Sequence, residues 1–273
     1  MQVTLPTTTI GGIEVSRLTL GSNPLFGYSH KSPAQDAWMK RYFTDERIYE
    51  ILRAAAELGI NLFVSGTNQR FADLRRRLED ETGFHINWAC TPAGSDTSQL
   101  KADIDRVRKL GAEICLPHTS WVEANLYIDK REVVGAPEVL DYIRQSGMTP
   151  GFSTHRPEVL PIAAERGYDA ETFILPFNVL GFLCPVEVEW QAHVINQCPK
   201  PVIVIKPLAA GRLTPAPGLT FVYDRIKPTD TVAIGVLSPE ELREDAELAA
   251  DLVAGRPNNG ALQYTRSKEH LHR

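Results

Sequence analysis

The sequence predicts an α/β fold, a (β/α)8 barrel of the TIM type, and three observations carry that reading. Short apolar runs rich in β-branched residues alternate eight times with helical segments. Such alternation requires a parallel sheet, and eight repeats close it into a barrel. Glycine recurs just past the helical segments, at Gly59, Gly83, Gly111, Gly147 and Gly167, where a left-handed residue ends a helix at little strain. No linker or composition shift divides the 273 residues, close to the roughly 250 residues usual for one such barrel. A single domain over 1–273 is expected.

Taken in order, Thr7 to Ser16 reads as a hairpin turning at Gly11-Gly12. Arg17 to Gly21 is the first internal strand, ending at Ser22-Asn23. The stretch Pro24 to Phe43 holds Phe26, Tyr28, His30, Trp38, Tyr42 and Phe43. So many aromatics in one loop point to a packed lid or to a subunit contact. Thr44 caps the next helix, which runs to Ala55, and Ile60 to Val64 is a strand opening into Ser65. A basic helix from Phe71 to Glu81 precedes strand His85 to Cys90. Helix Gln99 to Leu110 and strand Glu113 to Leu116 follow, then a long loop and helix Pro137 to Gln145.

The second half keeps this rhythm. Strand Thr149 to Ser153 leads to helix Glu158 to Arg166, and strand Thr172 to Leu175 to helix Val186 to Asn196. Val202 to Ile205, four β-branched residues in a row, reads as a strand buried on both faces. It stops at Lys206-Pro207. A lysine at a buried strand end needs a partner or a task. A helix near Phe221 to Ile226, strand Thr231 to Ile234 and helix Ser238 to Val253 complete the count. The last helix opens with a capping hydroxyl, Pro239 and two acids. Arg256 to Arg273 reads as a frayed polar end.

A net charge of −5 with 23% charged residues gives no electrostatic footprint for nucleic acid. The apolar runs are too short for a membrane span, and the first residues lack a signal pattern. A cytoplasmic protein is expected. Cys90, Cys115, Cys184 and Cys198 are widely spaced, and the first two read as small buried apolar groups.

Four stretches together resemble the aldo-keto reductase superfamily. They are Ile13-Glu14-Val15-Ser16-Arg17-Leu18-Thr19-Leu20-Gly21, Ala56-Glu57-Leu58-Gly59-Ile60-Asn61-Leu62-Phe63, Ile205 to Leu213, and Ile234 to Leu242. The resemblance implies a barrel whose floor is closed by the N-terminal hairpin and whose site lies at the C-terminal strand ends. It does not carry the reductase chemistry with it. Val64 stands where that family has an aspartate, and Thr67-Asn68-Gln69-Arg70 holds no tyrosine where its proton donor is expected. The lysine expected near Cys90-Thr91 is absent; His118 alone matches. Glu241 aligns with the arginine that grips the 2′-phosphate of NADP. NADP therefore remains an open expectation with its gripping residues partly lost.

The strand ends supply the candidate site: Asn23, Ser65, Thr91, His118, His155, Asn178 and Lys206 converge on one mouth. His118, His155 and Lys206 are the catalytic candidates, since imidazole and a desolvated amine transfer protons near neutrality. Asn23, His30, Ser65, Thr91, Asn178 and Arg212 are the substrate-binding candidates. No carboxylate is expected in this ring, so a metal between His118 and His155 lacks its usual third ligand. Lys31, Arg70, Arg156 and Arg212 lie in the following loops and favour an anionic or polyhydroxylated small molecule. The expected activity is non-redox, of the lyase, epimerase or isomerase kind, on a small carbonyl or hydroxy compound. Two other readings stand beside it: a nicotinamide-dependent reductase with Tyr28 or His30 as a rebuilt proton donor, and a non-catalytic barrel. A homo-oligomer is open.

Overall fold

The computed structural model describes residues 5–256. The chain opens with a hairpin, β1 (Thr7–Ile10) and β2 (Ile13–Ser16), followed by β3 (Leu18–Gly21), α1 (Pro33–Tyr42) and α2 (Asp45–Glu57). Then come β4 (Leu62–Gly66), α3 (Gln69–Thr82), β5 (Asn87–Thr91) and α4 (Thr97–Leu110). After β6 (Ile114–Cys115) lie α5 (Thr119–Ala124), a small hairpin of β7 (Leu126–Tyr127) and β8 (Glu132–Val133), and α6 (Ala136–Gln145). The rest is β9 (Thr149–Ser153), α7 (Val159–Arg166), β10 (Thr172–Pro176), α8 (Val188–Gln197), β11 (Val202–Ile205), α9 (Pro215–Tyr223), β12 (Thr231–Ile234) and α10 (Pro239–Val253).

Strands β3, β4, β5, β6, β9, β10, β11 and β12 form a closed barrel in that order, every pair parallel. The last strand pairs with the first through Val232 opposite Leu18 and Ile234 opposite Leu20. Successive side chains point to opposite faces. Leu62, Val64, Ala89, Ile114, Ile174, Ile203 and Ala233 therefore fill the interior, while Val202, Val204, Val232 and Ile234 pack outward against the helices. Ile10 and Val15 of the hairpin join the interior cluster and are fully buried. The hairpin thus closes the floor as the resemblance implied.

Helix boundaries follow local chemistry. Thr44, Asn68, Asp96 and Ser238 each accept a backbone N–H at a helix start. Gly83, Gly111 and Gly167 end α3, α4 and α7 in the left-handed region. Three segments differ from the sequence reading. The aromatic loop contains α1, capped by Ser32 and begun by Pro33. The long loop after β6 contains α5 and the β7–β8 hairpin. The helix expected near Phe221 spans Pro215–Tyr223 instead, because Pro215 fits the first turn, where its missing N–H has no intrahelical partner to lose. The expected frayed end from 257 onward lies outside the described residues. Among those residues no helix is long and apolar enough to cross a membrane.

One buried group in α10 is at odds with its surroundings. Asp245 is 2% exposed, and its Oδ1 has no hydrogen-bond partner among the described residues. Burial, reinforced by Glu241 and Glu244, pushes its carboxyl up to about 7. A carboxyl raised above its unfolded value destabilises the fold by a penalty that is absent at acid pH, builds as pH rises from the unfolded value of 3.8 to about 7, and is constant above that. Asp245→Asn is expected to raise the unfolding free energy at about pH 8 by roughly 1–3 kcal/mol. In urea titrations the gap between variant and parent should shrink toward about pH 5.

Candidate active site

At the C-terminal end of the barrel, the groups that follow β3, β6, β9 and β11 meet. His118 leaves β6 and caps α5: its Nδ1 accepts the Ser120 backbone N–H at 3.2 Å and lies 2.9 Å from Ser120 Oγ. Burial lowers the His118 pKa, and the nearby His155 and Lys206 lower it further. His30 is likewise lowered by burial and then by Lys206 and His155. The reach of Lys206 and His155 to both His30 and His118 places the three histidines and the lysine in one cluster. Like charges crowded together in poor solvent favour the neutral imidazoles of His30 and His118.

Lys206 is the most perturbed member. Burial brings its ammonium down to about 8, and of the other ionisable groups only the Cys184 thiol acts on it appreciably. No carboxylate pairs with it among the described residues. Its backbone is left-handed, with φ 60°, and so are Ala209 at 49° and Ala210 at 56° in the same loop. Such residues each cost about 1 kcal/mol or more, and strain of this kind collects at functional sites.

The aromatic segment lies on the strand-end side. Asn23 Nδ2 donates to His30 Nε2 at 3.0 Å. Arg212 donates to the His30 carbonyl at 3.2 Å, and Lys31 Nζ reaches the Gly211 carbonyl at 3.4 Å. His30 also meets the edge of Phe182, over which the Arg212 guanidinium sits at 4.2 Å. Tyr28, the other substitute donor considered, is 59% exposed and faces Lys40 rather than this cluster.

Other sequence candidates are committed elsewhere. Ser65 Oγ accepts the Trp88 indole N–H at 2.8 Å and donates to the Gly66 carbonyl; Thr91 Oγ1 donates to the Ser65 carbonyl. Asn178 is fully buried, with its amide bonded to both backbone groups of Phe182. Arg70 pairs with Asp45, and Arg156 with Glu158 at 2.7 Å. Lys31 and Arg212 have no carboxylate partner among the described residues.

The sequence reading missed one group. Glu123, on α5, places Oε1 within 2.6 Å of the His155 backbone N, 2.6 Å of Thr119 Oγ1 and 3.2 Å of Thr154 Oγ1. Burial would raise its carboxyl, but the hydrogen bonds from His155 and Thr119 outweigh that and hold it at about 2. A carboxylate therefore does stand behind His155, on α5 rather than in the ring of strand ends where none was expected. The Thr119/Glu123 spacing of four residues, one turn of helix, was the only trace of it in the sequence.

Nor do the residues present fit a 2′-phosphate. Glu241, where the gripping arginine was expected, accepts the Leu237 backbone N–H at 2.7 Å, while Ser238 Oγ accepts the Glu241 N–H. A groove of about 260 Å³ beside it is lined by Glu50, Arg53, Glu57, Glu240 and Arg243. Both arginines there contact Glu57, at 3.8 and 3.2 Å.

Lys206 should stand apart from every other lysine in solution. With isotope-labelled lysine side chains, one resonance is expected to titrate with a midpoint of about 8. It should vanish in Lys206→Met.

Neither a protein-family model nor a curated protein matches the sequence. Solved structures do. A protein from Pseudomonas aeruginosa, titled an aldo-keto reductase, superposes with a TM-score of 0.67 at 19% identity, over 92% of this chain and 97% of its own. The holo form of an aldo-keto reductase from Bacillus halodurans gives 0.61 at 14% identity, over 96% and 99%. A protein titled a 2,5-diketo-D-gluconic acid reductase B gives 0.58 at 15% identity, over 97% and 96%. The chain has the barrel fold of the aldo-keto reductases, and at these identities the likeness is one of fold.

Proposed function

We propose that the barrel mouth is a proton-transfer site acting on a small carbonyl or hydroxy compound that carries an anionic group. The observation behind this reading is Lys206, a buried amine with no carboxylate partner, set beside His118 and His155. With a pKa of about 8 it remains mostly an ammonium at neutrality, a cation suited to an enolate oxygen. The two histidines supply an acid and a base for the carbon beside the carbonyl. Removal of that proton is the first step shared by epimerases, isomerases and many lyases. Lys31 and Arg212 are rim cations bonded only to backbone carbonyls, with no carboxylate partner among the described residues, and suit the substrate's anionic group. The His30 segment covers the mouth from one side, keeping water from the reacting atoms.

A second reading, a nicotinamide-dependent reductase, draws support from the aldo-keto reductase neighbours. Against it stand the missing tyrosine and the occupied Glu241. Fluorescence titration with NADH and NADPH separates the two: saturable micromolar binding would favour the reductase.

Solvent-isotope exchange tests the first reading without knowledge of the net reaction. In heavy water the protein should introduce deuterium next to the carbonyl of some member of a panel of small keto and hydroxy acids. Lys206→Ala, His118→Ala and His155→Ala should each slow that exchange by roughly 100- to 10,000-fold. Exchange unchanged in all three, with circular dichroism showing intact folds, sinks the proposal.

A further inference from the structure

The hydrogen bonds around the two histidines settle which nitrogen of each carries the proton. Glu123 is an acceptor, as an ionised carboxylate must be. Thr119 has a single hydroxyl proton, and at 2.6 Å from Glu123 Oε1 that proton points to the carboxylate. The same oxygen lies 3.2 Å from His155 Nδ1. With its proton spent, Thr119 Oγ1 can only accept there, so Nδ1 of His155 carries hydrogen. The His155 backbone N–H donates to Glu123 as well, at 2.6 Å, and fixes the residue relative to the relay. His118 is held the opposite way. Its Nδ1 receives the Ser120 backbone N–H, which can only donate, and so must present a lone pair.

We propose that Thr119 and Glu123 are positioning residues that lock His155 in its Nδ1–H tautomer, so that its Nε2 lone pair is the base of the site, while His118 offers an Nε2–H as a hydrogen-bond donor. The roles rest on the proton-transfer reading above; the tautomers do not. In the step itself, His155 Nε2 takes the proton from the carbon beside the carbonyl. The C–H electron pair becomes the enolate double bond, and the carbonyl π pair moves to oxygen. That oxygen accepts a hydrogen bond from His118 Nε2–H and a hydrogen bond or proton from the Lys206 ammonium. The imidazolium formed on His155 keeps its Nδ1–H on Thr119 and lies 3.6 Å from Glu123 Oε1, whose negative charge stabilises it. Thr119 and Glu123 touch no reacting atom; they act through His155.

Long-range proton–nitrogen correlation spectra report imidazole tautomers directly, with signals identified by their loss in His118→Gln and His155→Gln. At about pH 8, where imidazoles are neutral, His155 should show hydrogen on Nδ1 and His118 on Nε2. Thr119→Val removes the acceptor oxygen at nearly constant volume and should abolish the Nδ1–H pattern of His155, leaving His118 unchanged. Thr119→Ser restores the hydroxyl and should restore the pattern. Isotope exchange should fall at least tenfold in the valine variant and recover in the serine variant. A wild-type His155 protonated on Nε2 overturns the proposal whatever the stability of the variants, as does a pattern that survives Thr119→Val. Should the tautomers be as stated while the wild type exchanges no proton with the panel, the relay stands and the proton-transfer reading falls.

Discussion

Closure of the parallel barrel is the constraint on which the other features depend. β12 must come back to β3, and the junction is tight: a Cβ on Gly21 would lie 3.1 Å from the Ile234 carbonyl, and one on Gly235 would lie 2.6 Å from Pro24. A side chain at Gly235 would collide with the Pro24 ring, and one at Gly21 would crowd the Ile234 carbonyl, so glycine suits both positions. With the ring shut and its floor filled by Ile10 and Val15, the interior offers polar groups no place except the open end. Asn23 and Lys206, far apart in the chain, become neighbours of one His30-bearing loop for that reason.

Desolvation then sets the chemistry at that end. Lys206, His30 and His118 are all shifted toward their neutral forms by burial first, and the two histidines further by the neighbouring Lys206 and His155. Glu123 goes the other way because donors converge on it. The mouth therefore juxtaposes bases made weaker with a carboxylate made harder to protonate. Pairs of titratable groups driven apart in this manner mark acid–base sites more reliably than any single residue type.

Most of the scaffold was legible in the sequence because its signals are local. β-branched runs, capping hydroxyls and terminal glycines each act within a few residues, and the eight barrel strands fall close to where those signals put them. What escaped was short or masked. α5 has only six residues and is capped by a histidine, so neither periodicity nor the usual cap residues announce it. α1 carries a full set of helix-start signals at Ser32, Pro33 and Asp36, but its aromatic content drew the reading toward a loop. The strand ends could be named from the sequence, yet which side chains were already engaged could not. Ser65 and Asn178 are spent on Trp88 and Phe182 through contacts that depend on three-dimensional packing.

The two cations at the rim have a further consequence. Lys31 and Arg212 are also the ties that fasten the His30 segment and the loop after β11 to each other. A negatively charged guest drawing on either cation weakens the latch it needs to be held in, and a latch fully made leaves the guest fewer donors. Under the proposed function, substrate occupancy and the tie between the two loops are linked quantities: whatever free energy an anionic guest takes from the tie, the tie withholds from the guest.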